Sequence, residues 1–120
     1  MRRLAILAAL AAFVLAAPAF AGKNVPIIVS MQTASADRTW VTIYRGEFAG
    51  WKREIVASGW MSPRSGFVTH QYDGHHYFVR GQVHRGSEIV ADTTVEFDPV
   101  RDRSVALVGT NGGFHWQVYH

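Results

Sequence analysis

Six histidines and four tryptophans are the side chains of this 120-residue chain best equipped for chemistry. Three of the histidines, His70, His75 and His76, fall in one short segment. Imidazole is a common ligand of Zn and Cu, so the segment is a candidate site for either ion. Asp73-Gly74 separates two runs rich in β-branched and aromatic residues, the composition of a two-residue type I′ hairpin turn. In that register Tyr72 faces His75, Gln71 faces His76, and His70 faces Tyr77. His70 and His75 become diagonal neighbours about 7–8 Å apart, close enough to converge on one ion, with Asp73 or His76 as a further ligand. The same alternation sets Val68, His70, Tyr72, His75, Tyr77, Val79 and Val83 on one face, expected to be buried away from the turn. Against a metal, His75 and His76 are adjacent and point to opposite faces of a strand. The chain also has no His-x-x-x-His helix or other established ligand spacing. Rim histidines stacked on tyrosine are the commoner arrangement.

Trp40, Trp51, Trp60 and Trp116 could instead offer indole faces to sugar rings, although core packing is the usual fate of Trp in a small β domain. Trp40 and Trp116 sit in expected strands and read as core. Trp60 reads as an exposed loop residue and, with Tyr72 and Tyr77 at the hairpin rim, is the candidate ligand contact. No residues are nominated for catalysis. There is no G-x-S-x-G elbow, the acids are scattered beside arginines, and Gly109 to Gly113 lacks the Lys-Ser/Thr ending of a phosphate loop.

The elements that must carry these residues follow a leader. Met1-Arg2-Arg3, an apolar run from Leu4 to Ala17, and Pro18-Ala19-Phe20-Ala21 have the form of a secretory signal peptide cut after Ala21. The apolar run is shorter than the ~20 residues of a spanning helix, so no stable membrane span is expected after cleavage. The protein is expected in the periplasm or outside the cell. It has no cysteine, and so neither a disulfide nor a lipid-bearing thiol. The remaining roughly 100 residues suffice for one core without staples, so residues 22–120 are expected to form a single domain. Losing Arg2 and Arg3 leaves ten basic residues against nine acids, and these are interleaved. Nucleic-acid binding needs a concentrated basic face, which is missing.

Short β-branched and aromatic runs separated by turn residues predict about eight strands. They are Val25–Ser30, Thr39–Arg45, Trp51–Ala57, Phe67–Tyr72, His75–Val83, Glu88–Asp98, Ser104–Val108 and Phe114–His120. Gly46–Gly50 is expected to turn the chain. Pro26 predicts an edge position for the first strand. Gly59 to Gly66 reads as a connection. The expected fold is an all-β antiparallel sandwich, with a small closed barrel as the alternative.

Trp40 to Tyr44, Gly59-Trp60-Met61-Ser62-Pro63 with Gly66, and His76-Tyr77-Phe78-Val79-Arg80-Gly81 together resemble a family of small bacterial secreted domains of unknown function, once described as integral membrane proteins. Its members show an early aliphatic strand, a G-W-x-x-x-P-x-x-G-like segment and a Y-Y-x-x-A-like strand. The resemblance covers about residues 39–116 and implies a β-rich envelope domain with no catalytic residue to carry over. The chain departs from the pattern in lacking cysteine and in carrying Gly81 at the alanine position.

These readings converge on a non-catalytic secreted or periplasmic module that binds an envelope protein or a surface polymer. The alternative is a metal- or carbohydrate-binding protein using His70, His75, His76 and Trp60. A small secreted hydrolase is the third.

Overall fold

The computed structural model describes residues 23–33, 37–46, 54–110 and 113–120. The expected leader with its cut after Ala21, the Gly46–Gly50 turn beyond Gly46, and Trp51 lie outside the described residues. Eight strands are present: β1 (Asn24–Gln32), β2 (Arg38–Gly46), β3 (Glu54–Met61), β4 (Phe67–Tyr72), β5 (His76–Arg85), β6 (Glu88–Phe97), β7 (Ser104–Thr110) and β8 (Gly113–Tyr119). They form two four-stranded sheets, ordered β4-β1-β7-β8 (sheet A) and β3-β2-β5-β6 (sheet B). The sheets make a sandwich-like pair, not a closed barrel. All pairings are antiparallel except β1 with β7, which run parallel. Among the described residues no helix is long and apolar enough to cross a membrane.

Alternation builds the core. Ile27, Val29 and Met31 of β1 and Val105 and Leu107 of β7 point inward from sheet A. Val41 and Ile43 of β2 and Tyr77, Val79 and Val83 of β5 point inward from sheet B. These are the four central strands, and each fully buried aliphatic side chain stabilises the fold by about 1.5–3 kcal/mol. The edge strands contribute mostly half-buried residues, such as Val56, Phe67, Trp116 and Val118. Two glycines permit close packing between sheets. A Cβ on Gly81 would lie 3.0 Å from Cζ2 of Trp116, and one on Gly59 would lie 2.7 Å from the Phe67 ring.

The expected Asp73-Gly74 hairpin is not formed. A type I′ turn needs positive φ at both central residues. Among the described residues no non-glycine has positive φ, and Gly86 and Gly113 are the only glycines that do. The chain instead leaves sheet A after Tyr72 and enters sheet B at His76. The phenol of Tyr77 holds this corner, accepting from the Tyr72 amide (3.1 Å) and donating to the Tyr72 carbonyl (2.8 Å). This is the bonding of a tyrosine corner, a known device of β-sandwiches. Burial pushes the phenol above its ordinary pKa, so it stays protonated and can donate. The single buried face expected across β4 and β5 is therefore split. Tyr77, Val79 and Val83 are buried, whereas Val68, His70 and Tyr72 turn outward and Phe67, Thr69 and Gln71 face inward. A tight two-residue turn does occur at Gly86-Ser87, where Arg85 pairs with Glu88 and Gly86 has φ 64°.

Two further expectations need correction. β3 continues through Gly59 and Trp60 to Met61, so only residues 62–66 form the connection to β4. Ser62 and Ser65 close it by reciprocal backbone bonds of 3.1 Å, with Pro63 supplying the φ near −65° that the turn's second position requires. β1 is central in sheet A, not an edge. Its Pro26 is tolerated because β7 begins pairing only at Ile28, so at Pro26 the strand has a neighbour on the β4 side alone.

The β6–β7 crossing is organised by buried Asp102. Its carboxylate accepts from the Asp98 amide (2.9 Å), Arg101 Nε (3.1 Å) and His120 Nδ1 (2.9 Å). Burial alone would raise its pKa, but the Asp98 amide, Arg101 and His120 together hold it below the usual carboxylate range.

Two outcomes follow from these corners. Tyr77→Phe removes both bonds to Tyr72 and is expected to cost about 1–2 kcal/mol in urea unfolding without changing the far-ultraviolet circular dichroism; an unchanged midpoint would show that the corner does not depend on the phenol. Asp102 titrates lower in the folded chain than the ~3.9 of an unfolded aspartate, so its stabilisation is complete above that value and drains as pH falls through the folded pKa. Asp102→Asn should be less stable than the parent at pH 6 and should lose less stability between pH 5 and pH 2.5, measured as urea midpoints.

Candidate functional site

The outer faces of the two sheets differ in chemistry. Outward positions of sheet A carry no Lys, Arg, Asp or Glu: they include Pro26, Ile28, Val68, His70, Tyr72, His115, Gln117 and Tyr119. Outward positions of sheet B mix aromatic rings with charged and amide groups. The register sets Trp60 of β3 opposite Trp40 of β2, Trp40 opposite Gln82 of β5, and Gln82 opposite Asp92 of β6. One row further along, Arg38 faces His84 and His84 faces Ile89.

These two rows meet in a cluster around Trp60. Its ring packs edge-on against Trp40 (centroids 5.1 Å apart, 71° between planes) and against His84 (5.0 Å, 75°). The Arg38 guanidinium lies 4.2 Å from the Trp60 ring centroid. Edge-to-face pairs contribute about 0.5–1.5 kcal/mol each, and an exposed cation–π contact about 0.5–1 kcal/mol. Trp60 is nevertheless 45% exposed. The result is a large indole held in place by neighbours on β2 and β5, with much of its surface open to solvent.

The surrounding polar groups are ordered as well. Arg80 grips Asp92 through Nε (2.8 Å) and Nη2 (2.6 Å) and reaches the Tyr44 hydroxyl at 3.5 Å. The guanidinium holds the Asp92 carboxyl below its ordinary pKa. Gln82 donates Nε2 to the same carboxylate at 3.4 Å, which leaves its carbonyl oxygen as an acceptor on the face. Asp37, buried at the start of β2, takes a forked bond from Arg85 at 3.2 and 2.9 Å. That pair ties β2 to the end of β5 beside Arg38 and His84. β6 carries an extra residue, Val90, between the partners of Val83 and His84, and such a bulge sharpens local twist.

The candidate metal ligands are not brought together. His70 stands on the outside of sheet A, His75 stacks edge-on to Tyr77 at the corner (6.5 Å), and His76 lies on the outside of sheet B, 3.2 Å from Glu96. Among the described residues no three His, Asp or Glu side chains form a group that could hold a metal ion. The convergence expected for Zn or Cu depended on β4 and β5 being hairpin partners, and they belong to different sheets. The candidate ligand contacts also separate. Trp60 is on sheet B, Tyr72 is 41% exposed on sheet A, and Tyr77 has no exposed surface, its hydroxyl committed to Tyr72. Trp116 is half-buried against the core. Trp40, expected in the core, lies on the outer face. The sequence reading missed Arg38, His84 and Gln82. The signal for them was the alternation Arg38-x-Trp40 and Gln82-x-His84 in adjacent strands, which becomes informative only once β2 is paired with β5.

No family model matches the chain, and no curated protein is significantly similar to it.

Proposed function

We propose that this protein is a non-catalytic binding module of the bacterial envelope or exterior, and that the outer face of sheet B holds a surface polysaccharide. The observation that carries this reading is Trp60: a 45% exposed indole fixed by Trp40, His84 and Arg38 on a regular strand. Sugar rings bind proteins by stacking their C–H faces on aromatic rings while their hydroxyls hydrogen-bond to polar side chains set alongside. Gln82, His84 and Arg38 supply such groups next to Trp60. A strand-borne site also loses little entropy on binding, since its side chains are ordered beforehand. A polymer fits this face better than an envelope protein does, because aromatic and polar groups alternate across its rows. The leader sequence supplies the compartment for the proposal.

The test is a titration of residues 22–120 with short oligosaccharides, neutral chitotetraose and acidic tetragalacturonate, followed by tryptophan fluorescence and calorimetry. Saturable binding by at least one of them is expected, with Trp60→Ala weakening it tenfold or more, the scale of a central aromatic contact. No saturable response to either, or an undiminished affinity in Trp60→Ala, would overturn the assignment of this face.

A further inference from the structure

The arginines of sheet B are matched to carboxylates with one exception. Arg45 pairs with Glu54, Arg80 with Asp92, and Arg85 with Asp37. Arg38 has no carboxylate within ion-pair distance among the described residues and lies on the Trp60 ring instead. Two nearby acids are committed elsewhere, Asp37 to Arg85, and Asp92 to Arg80 and Gln82. The strand partner of Arg38 is His84, whose ring packs edge-on against Trp60.

Stacking on an indole uses the flat face of the guanidinium. Its five N–H donors lie in the plane of the group and remain available at its rim. A fork of donors held in this way suits a carboxylate, which accepts two parallel hydrogen bonds. The same ring that orders Arg38 is the one offered to a sugar. Stacking surface and anion receptor are therefore adjacent, as a uronic-acid unit would need, with its ring on Trp60 and its carboxylate on Arg38.

Resting on the proposed glycan-binding role, we infer that this face selects acidic polysaccharides, with Arg38 as the specificity-determining residue and His84 beside it as a second donor. Charge complementarity favours this occupant, because a neutral glycan could accept hydrogen bonds from Arg38 but would leave its charge unanswered.

The experiment compares tetragalacturonate with chitotetraose on the parent protein, Arg38→Gln, Arg38→Lys and Arg103→Gln, by calorimetry at low and raised NaCl. The parent is expected to bind tetragalacturonate at least tenfold tighter than chitotetraose, with the difference shrinking as salt screens the charge. Arg38→Gln should lose that preference, its affinity for tetragalacturonate falling at least tenfold further than its affinity for chitotetraose. Arg38→Lys, which keeps the charge but not the planar fork, should retain part of it. Arg103→Gln, at the start of β7, should behave as the parent. Equal binding of the two glycans by the parent would overturn the inference and leave the glycan-binding role standing. So would a preference that survives in Arg38→Gln, or one that Arg103→Gln loses equally. Binding of neither glycan would overturn both. Arg38 is exposed and its substitution is expected to leave the fold intact; thermal unfolding of each variant verifies this, and Arg38→Lys carries the comparison if Arg38→Gln does not fold.

Discussion

The chain changes sheet four times, between β1 and β2, β3 and β4, β4 and β5, and β6 and β7. Every change takes backbone amides and carbonyls off a ladder, and each group left unpaired in the interior costs about 1–3 kcal/mol. With no cysteine to staple the corners, the fold depends on closing them by hydrogen bonds. Different residue sets serve them. The forked Arg85–Asp37 pair anchors the entry to β2, and the reciprocal Ser62–Ser65 bonds make the second corner. At the third, the Tyr77 phenol is joined by Asp73, whose amide donates to the Lys23 carbonyl while its carboxylate accepts from the Lys23 amide. Asp102 gathers the fourth. The apolar layer between the sheets supplies most of the stabilisation, but it is non-directional; the corners decide which strands meet.

That division explains how a rigid outer face arises. Trp60, Trp40 and Gln82 stand in one row because β2 is hydrogen-bonded to both β3 and β5. The bulge opposite Ile43 and Tyr44, where Val56 is the extra residue of β3, and the one at Val90 of β6 both fall on edge strands. Edge strands accept such irregularities because only one neighbour must adjust, and bulges there also discourage edge-to-edge association. The central strands of sheet B stay regular beneath the aromatic cluster. Buried Thr39 keeps that regularity at modest cost by donating its hydroxyl to the Met31 sulfur at 3.3 Å.

Local pattern made the strands legible. The alternation in the second half of His75–Val83 predicted which residues are buried, because period-two alternation is a property of the strand itself; Thr39–Arg45 was legible as a strand, but its Trp40 was expected on the wrong face. Sheet membership is not local. Asp73-Gly74 has hairpin composition, yet the interactions that draw Tyr72 and His76 apart come from β1 on one side and β2 on the other. Nothing in the local sequence pattern distinguishes that outcome from a hairpin except Tyr77 placed five residues after Tyr72. Gly59 and Pro63 punctuated a stretch that continues as strand through Trp60, because Gly59 is there to admit the Phe67 ring. Trp60 was legible as an exposed aromatic residue, but its partners were not. Arg38 and His84 are 22 and 24 residues away in sequence and come to its ring only through the β3-β2-β5 order.

The contrast between the two outer faces bears on what kind of recognition each can perform. Discrimination among chemically similar ligands rests on polar groups that would be left unsatisfied by the wrong one. The outer face of sheet A has exposed Ile28, Val68 and Tyr72 but no formal charge at its outward positions, so it offers adhesion with little power to choose. On sheet B Arg45, Arg80 and Arg85 are each matched to a carboxylate, and matching weakens them as general attractors of counterions. Against that background the unmatched Arg38 guanidinium would be selective under the proposed role. It lies against the Trp60 indole, within the same cluster as the surface proposed for the sugar. In the proposed role, selectivity on this face would come from the pairing of Arg45, Arg80 and Arg85 as much as from the exposure of Arg38.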